Sequence, residues 1–167
     1  MIQSSYSQGL DTIYLHIGDG GIFERPCLVQ TVLGSCVSVM LINEELMIGG
    51  TFHAMLPDYR LHEREGSTYS VYKYVNSALD YLLELYSKKG VTPRALKAKV
   101  FGGADQIGMR SIGAGHTNVQ MAYAYLKDKR IRVVAEDVGG KQGRKVLFFP
   151  HNGQVWIKKI DNSITFA

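Results

Sequence analysis

Cys36 and His53 are the two residues of this sequence whose types and surroundings could form a nucleophile and its base. Cys36 follows Gly34 and Ser35 between two apolar segments, where a turn of small residues would present a thiol at a strand end with backbone N–H groups nearby. A thiol with its ordinary pKa of about 8.5 needs a neighbouring base to act at neutral pH. His53 lies on the next predicted strand and could be that base.

The pairing of these two residues follows from a predicted hairpin. If the chain turns at residues 43–45, Cys36 is expected opposite His53 on neighbouring strands, within side-chain reach. The alternative is that both are structural, because a single buried cysteine is more often a small hydrophobic residue of the core. Cys27 follows Pro26 without a glycine turn, and we interpret it as a structural thiol.

Several other chemistries are excluded by their missing residues. A phosphate-binding loop needs Ser or Thr after Gly-Lys, but Gln142 follows Gly140-Lys141. The five histidines are scattered and the two cysteines lack zinc-ligand spacing. A phosphatase-type cysteine loop needs an arginine six residues after the cysteine, where this chain has Ile42.

Segments rich in β-branched residues predict the strands that would position these side chains. They are residues 13–17, 28–33, 37–42, 47–55, 97–101, 131–135, 145–149 and 154–160, the last two joined by a turn at Asn152-Gly153. Apolar spacing over residues 71–86 predicts an amphipathic helix that begins near Ser67 or Ser70 and ends by Gly90. A second, shorter helix fits residues 119–126, with Thr117 or Asn118 as its cap, and residues 58–67 are expected to form a mobile loop.

Composition and charge describe an ordinary globular chain. The 167 residues are 46% hydrophobic and 20% charged, which predicts one domain over residues 1–167 with mixed helices and strands. Two cysteines are too few for a disulfide framework, and the chain shows neither a secretory signal nor an apolar segment of membrane-spanning length. We therefore expect a cytoplasmic protein with free thiols. The net charge of +4 is spread along the chain and does not by itself indicate nucleic-acid binding.

Several motifs together resemble one family, the CheD chemoreceptor glutamine deamidases of bacterial chemotaxis. The first two are residues 31–39, TVLGSCVSV, and residues 48–57, IGGTFHAMLP. Residues 100–104, VFGGA, resemble the FGGA segment of the family, and Ile112-Gly113 followed by Asn118 resembles its IG-x-x-N element. Residues 135–140 with Gly143-Arg144 resemble its glycine-rich D-x-GG-x-x-GR stretch. The resemblance runs in family order from about residue 17 to residue 160.

The resemblance implies a toxin-deamidase-like cysteine hydrolase fold of the α+β class, with stacked β-sheets flanked by helices. It implies Cys36 as the nucleophile and His53 as its base, without a cofactor or metal. The third member in the family is a threonine that orients the histidine, within a T-L-G-L-G-S-C segment. Without a gap its position here is held by Gln30, while Thr31 lies one residue closer to the cysteine. We favour Thr31, with Gln30 as the alternative acceptor.

The small residues Gly34, Ser35, Gly102 and Gly103 are expected to line the site. The implied reaction is hydrolysis of glutamine side chains to glutamate on the cytoplasmic domain of methyl-accepting chemoreceptors through a thioester. Glutamate methyl esters have the same acyl carbon and are a second implied substrate. The implied partners are the chemoreceptor and, where one exists, a CheC-type phosphatase; we expect neither nucleic acid nor membrane insertion. The alternative is a regulator that binds these partners without catalysis.

Overall fold

A computed structural model describes residues 9–61, 70–105 and 113–160. These residues form nine strands and two α-helices. The strands are β1 (Asp11–Tyr14), β2 (Gly20–Phe23), β3 (Cys27–Leu33), β4 (Val37–Asn43), β5 (Ile48–Phe52), β6 (Lys97–Gly102), β7 (Arg132–Val138), β8 (Arg144–Phe149) and β9 (Gln154–Lys159). The helices are α1 (Val75–Ser87) and α2 (Ala114–Asp128), and two 3-10 turns lie at Tyr59–Leu61 and Pro93–Ala95. None of the described helices is long and apolar enough to cross a membrane.

The strands form two sheets. One sheet has the order β1-β3-β8-β9 and the other the order β2-β5-β4-β6-β7. The pairs β1–β3 and β6–β7 are parallel, and the other neighbouring strands are antiparallel. This α+β arrangement of two sheets with helices confirms the predicted fold class.

Two hydrophobic cores divide the molecule into layers. Val37, Val39 and Leu41 of β4 pack with α1 and α2 on one face of the five-stranded sheet. Met40 and Ile42 of the same strand belong to a second cluster with β3 and β8, between the two sheets. Successive side chains of a strand point to opposite faces, so β4 supplies both cores and is buried throughout. The layers are therefore helices, five-stranded sheet and four-stranded sheet.

The hairpin of β4 and β5 differs from the predicted register by two residues. The turn lies at residues 44–47 instead of 43–45, because the Asn43 side chain accepts a hydrogen bond from the Leu46 N–H at 2.8 Å and Met47 takes a left-handed conformation with φ 55°. Leu41 therefore pairs with Gly50, and Val37 forms an isolated bridge with Ala54. Cys36 is consequently not directly opposite His53.

Both helices begin at other residues than predicted. The helix expected from Ser67 or Ser70 begins at Val75, because the preceding residues bond to the segment that follows β5: the Lys73 carbonyl accepts from Met55 N–H at 2.9 Å, and Tyr74 bridges Leu56. Ser70 donates to the Gly18 carbonyl and does not cap a helix. Helix α2 begins at Ala114 after a left-handed Gly113, so Thr117 and Asn118, the expected caps, lie inside it.

The predicted strands correspond to eight of the nine observed ones, and the turn at Asn152-Gly153 joins β8 to β9 as expected. The prediction missed β2, a four-residue strand that begins with two glycines. It also placed the first strand too late: β1 ends at Tyr14, and the His16 N–H donates to the Asp19 carboxylate in the following turn. The expected loop over residues 58–67 falls mostly outside the described residues, which include only 58–61 of it.

Arg144 holds the glycine-containing loop between β7 and β8. Its guanidinium, with no exposed side-chain surface, donates to the Asp137 carboxylate at 2.5 Å and to the backbone carbonyls of Asp137, Gly139 and Gln142. The arginine of the glycine-rich motif thus joins the end of β7, at Asp137, to the loop carbonyls of Gly139 and Gln142. Its place in the sequence motif therefore has a structural explanation.

We expect Arg144→Met to lower the free energy of unfolding by about 3 kcal/mol, because three carbonyls and a carboxylate lose a buried donor. Urea denaturation measures this loss. Lys159→Met is the control, since Lys159 contacts the same Asp137 carboxylate from a side chain 45% exposed; it should cost less than about 1 kcal/mol. Equal losses in the two variants would contradict the assignment.

Candidate active site

The turn that carries Cys36 joins β3 to β4 and is braced by the segment after β6. Gly103 N–H donates to the Cys36 carbonyl and Ala104 N–H to the Gly34 carbonyl, both at 2.8 Å. At Gly102, whose φ is +109°, a Cβ atom would lie 2.1 Å from the Cys36 carbonyl oxygen. Any larger residue at Gly102 would therefore push the Cys36 turn aside. Gly102 and Gly103 contact the backbone of the cysteine segment, which explains the glycines of the FGGA motif.

His53 follows β5 directly, and its backbone is fixed on both sides. Its N–H donates to the Asp19 carbonyl at 2.9 Å, and its carbonyl accepts from Gly18 N–H at 2.9 Å. The residue is 5% exposed. The imidazole thus enters the layer between the sheets from a backbone with little freedom to move.

Thr31 fixes the imidazole ring of His53 and its tautomer. The Thr31 hydroxyl lies 2.8 Å from His53 Nδ1 and 2.9 Å from the Leu15 carbonyl oxygen. A carbonyl can only accept, so the single hydroxyl proton goes to Leu15, and Nδ1–H must donate to Thr31. In the neutral ring the proton is then on Nδ1, and Nε2 carries the free lone pair. Nε2 is buried without a hydrogen-bond partner in the described part of the chain.

The structure brings Thr31 and not Gln30 to the histidine. Strand β3 pairs with β8 in continuous register from Val29 to Leu33, so its side chains alternate without a bulge. Thr31 shares the inner face with Val29 and Leu33, which belong to the core between the sheets. Gln30 points to the other face, where its Oε1 atom is buried and has no partner among the described residues.

Cys36 and His53 lie on the same face of the β4–β5 ladder. The bridge of Val37 to Ala54 places Ser38 opposite His53 and makes Cys36 its diagonal neighbour, on the same side of the sheet. The next diagonal pair along the ladder, Ser38 and Thr51, has its side-chain oxygens 2.8 Å apart. Diagonal side chains in this ladder therefore reach each other. The predicted register was wrong by two residues, but a shift of two keeps every side chain on its face.

Burial keeps both groups neutral. It raises the pKa of the Cys36 thiol to about 11, while the backbone N–H of Cys36 itself lowers it slightly. It also lowers the pKa of His53 below 6.5, against smaller opposing effects of the Leu15 carbonyl and Asp19. The pair is thus a thiol beside a neutral imidazole at neutral pH. Such a pair works by proton transfer to the imidazole as the sulfur attacks.

A cavity of about 540 Å³ opens to the surface next to Thr31 and His53. Its wall includes Tyr14 and Val32, which are 63% and 54% exposed, and also the buried Gln30. Cys36 is not among the described residues that line it. The cavity gives access to the histidine from outside, bounded mainly by apolar surface.

One residue near this site was given no chemical role by the sequence analysis. Asn118 of α2 has no exposed surface, and its Nδ2 atom donates to the carbonyls of Ser35 and Met55, each at 3.0 Å. The sequence does indicate that Asn118 is buried, because it is spaced by four residues from Ala122 and by eight from Leu126, and all three lie on one buried helix face. A polar residue on an apolar face needs a buried partner. The prediction of Asn118 as a helix cap placed it at the end of the helix, so its burial was not predicted.

The fold and the site together define a protein of the α+β class with a buried cysteine and a threonine-bound histidine between two sheets. Comparison with known proteins agrees on its family. The family described as "CheD chemotactic sensory transduction" matches residues 55–159. The chain is 37% identical over 156 residues to "Probable chemoreceptor glutamine deamidase CheD 2" of Geobacter sulfurreducens, covering 92% of this chain and 93% of the relative. It is 36% identical over 162 residues to "Probable chemoreceptor glutamine deamidase CheD" of Oleidesulfovibrio alaskensis, covering 93% of this chain and 76% of the relative.

The chain belongs to the CheD family, as the sequence motifs predicted. The family model matches from Met55 onward and therefore does not include Thr31, Cys36 and His53. The alignment with the Geobacter relative covers 92% of the chain and includes all three residues wherever it begins. Among solved structures, the hypothetical protein YfiH of Bacillus licheniformis superposes with a TM-score of 0.44 and 11% identity, over 71% of this chain and 49% of that one.

Proposed function

We propose that this protein hydrolyses glutamine side chains of methyl-accepting chemoreceptors to glutamate. The observation that carries the proposal is the Thr31 hydroxyl on His53 Nδ1, which leaves Nε2 as a base on the sheet face that also bears Cys36. The relatives named chemoreceptor glutamine deamidase supply the substrate class. The described residues of all three ranges share the two cores, which supports a single CheD-like domain over residues 1–167.

The first half of the reaction forms a thioester. His53 Nε2 takes the thiol proton as Cys36 Sγ attacks the carboxamide carbon of the glutamine. The proton is then passed to the amide nitrogen, the C–N bond breaks, and ammonia leaves. Backbone N–H groups at the turn of Gly34, Ser35 and Cys36 are the donors we assign to the oxyanion, each worth about 3 kcal/mol in such sites.

The second half hydrolyses the thioester. His53 Nε2 takes a proton from water as the water oxygen bonds to the acyl carbon. The C–S bond then breaks, and the imidazolium returns the proton to Cys36 Sγ, which restores the thiol and the neutral imidazole. The product is a glutamate side chain. A glutamate methyl ester presents the same acyl carbon, so ester hydrolysis by the same residues belongs to this proposal, with methanol as the leaving group. No step needs a cofactor.

The proposed setting is the cytoplasm, where the modified receptor segment would meet the protein. The net charge of +4 favours association of this chain with an acidic receptor segment. A CheC-type phosphatase, where the organism has one, is the second partner that we propose. Binding without catalysis is the competing outcome of the test below.

Mass spectrometry of a receptor fragment tests the proposed function. A glutamine-bearing cytoplasmic fragment of the cognate chemoreceptor is incubated with the full chain, and its peptides are analysed for conversion of glutamine to glutamate. A second fragment carrying glutamate methyl esters tests the ester reaction. Cys27→Ala serves as a positive control, because Cys27 is buried in the same core and takes no part in the proposed steps. Conversion at specific glutamines supports the proposal; binding without conversion would overturn it in favour of the regulator.

The pH profile follows from the pKa of His53. We expect kcat/KM for deamidation to be level between about pH 7 and 9 and to fall at acid pH, because protonated Nε2 cannot act as a base. Since burial lowers the His53 pKa from 6.5, half of the activity should be lost below pH 6.5. Cys36, with a pKa of about 11, stays a thiol over this range. Initial rates of ammonia release measure the profile, and a midpoint above pH 6.5 would contradict it.

A further inference from the structure

The β4–β5 ladder opens at the active site. Val37 and Ala54 exchange two backbone hydrogen bonds, of 2.9 and 3.0 Å, and form the last described rung of this ladder. Beyond it the extension of β5 turns to another partner, because Leu56 N–H donates to the Lys73 carbonyl at 3.2 Å. Cys36 and His53 lie on either side of the Val37–Ala54 rung. Their separation therefore depends on how the two backbones are held where regular pairing ends.

The side chain of Asn118 fills this gap. Its Nδ2 atom donates one hydrogen to the Ser35 carbonyl, just before Cys36, and the other to the Met55 carbonyl, two residues after His53. Both bonds are 3.0 Å long, and the side chain is completely buried in α2. Among the described residues, no other side chain bonds to both of these segments. The two hydrogen bonds of Asn118 thus link the diverging segments at the point where backbone-to-backbone pairing has ended.

The orientation of the amide is settled by its neighbours. Two carbonyl oxygens can only accept, so the nitrogen of Asn118 must face them and Oδ1 must point elsewhere. Oδ1 is buried without a partner in the described part of the chain. A buried unpaired acceptor destabilises a protein, so the residue is poorly suited to stability alone. Aspartate has the same shape, but its ionised carboxylate has no hydrogen to donate to either carbonyl.

We propose that Asn118 is a positioning residue that sets the distance between Cys36 and His53 for proton transfer. The inference rests on the proposed function, which assigns those two residues to the reaction. The other braces of the cysteine turn, Gly103 and Ala104, hold the Cys36 segment only. Asn118 couples that segment to the histidine strand. Its loss should therefore slow the chemical step and leave substrate binding intact.

The test compares Asn118 with a matched buried asparagine. Asn43, 3% exposed at the far end of β4, also donates from Nδ2 to a backbone carbonyl, that of Ala95, at 3.2 Å. For Asn118→Asp and Asn118→Ala we expect kcat on the receptor fragment to fall about 10–100-fold, with KM within about twofold of wild type. Asn43→Asp, which loses the bond from Nδ2 to Ala95 but keeps Oδ1 as the acceptor of Leu46 N–H and therefore the β4–β5 turn, should keep the wild-type kcat. If Asn118→Asp does not fold, the alanine variant carries the test.

A second readout separates the inference from the proposed function. Alkylation of Cys36 by iodoacetamide in a Cys27→Ala background, followed by intact mass over a pH series, reports the coupling of thiol and imidazole without any receptor. In wild type the rate should show a step at the His53 ionisation, and His53→Gln should lack it. Asn118→Ala and Asn118→Asp should also lose the step, while Asn43→Asp keeps it. If Asn118→Ala keeps the wild-type pH step in the alkylation rate, the inference is overturned. If the wild-type protein and the variants show the expected alkylation rates but the wild type does not deamidate the receptor fragment, only the proposed function is overturned.

Discussion

Cys36→Ala is expected to abolish deamidation of the receptor fragment, with kcat reduced by at least about 10⁴-fold. The proposed reaction forms a thioester at Cys36 Sγ, and the structure has no second thiol on the same face of the β4–β5 ladder among the described residues. Binding of the fragment should persist, because the substitution removes one buried atom and leaves the Cys36 backbone bonds to Gly103 in place. Peptide mass spectrometry measures the conversion, and fragment binding is measured separately.

Cys27→Ala is the matched control for this loss. Cys27 is 5% exposed and Cys36 is 8% exposed, both in the core between the sheets, so each substitution removes the same atom from a similar environment. Both variants should lose about 1 kcal/mol of unfolding free energy. Only Cys36→Ala should lose activity. Conversion by Cys36→Ala at the wild-type rate would show that the thiol is not the nucleophile.

The sequence predicted the face of each site residue better than its exact partner. Side chains alternate between the two faces along β4 and β5. A register that differs from the predicted one by two residues therefore still places Cys36 and His53 on the same side of the sheet. The turn geometry fixes the register itself, and here a side-chain bond of Asn43 lengthened it. Thr31 likewise reaches His53 by simple alternation along β3, whose pairing with β8 is continuous from Val29 to Leu33.

Contacts between distant segments could not be predicted from local patterns. The first turn of the predicted helix over residues 71–74 has apolar residues at helical spacing, but those residues bridge Gly18 and Leu56 instead. The tertiary backbone bonds outweigh a helical preference in so short a segment. Asn118 meets Ser35 and Met55 across 83 and 63 residues of sequence, a distance at which spacing carries no signal.

The second large effect is expected from Thr31→Val, which removes the hydroxyl and keeps the shape of the side chain. Nδ1–H of His53 then loses its acceptor, and the ring is free to place its proton on either nitrogen. Only the fraction with a free Nε2 lone pair can act as the base, and the ring is no longer held in place. We expect kcat to fall about 10–100-fold, the cost of one buried hydrogen bond in the transition state.

Three measurements separate this orienting role from a loss of stability. Nitrogen NMR of His53 should show Nδ1–H in wild type and a mixture of tautomers in Thr31→Val. Thr31→Ser, which keeps the hydroxyl between His53 and the Leu15 carbonyl, should restore kcat to within about threefold of wild type. Gln30→Ala should leave kcat unchanged, because Gln30 lies on the opposite face of β3. If Gln30→Ala lowers kcat more than Thr31→Val does, the orienting role belongs to Gln30. The acceptor of His53 Nδ1–H would then not be the Thr31 hydroxyl that lies 2.8 Å from it.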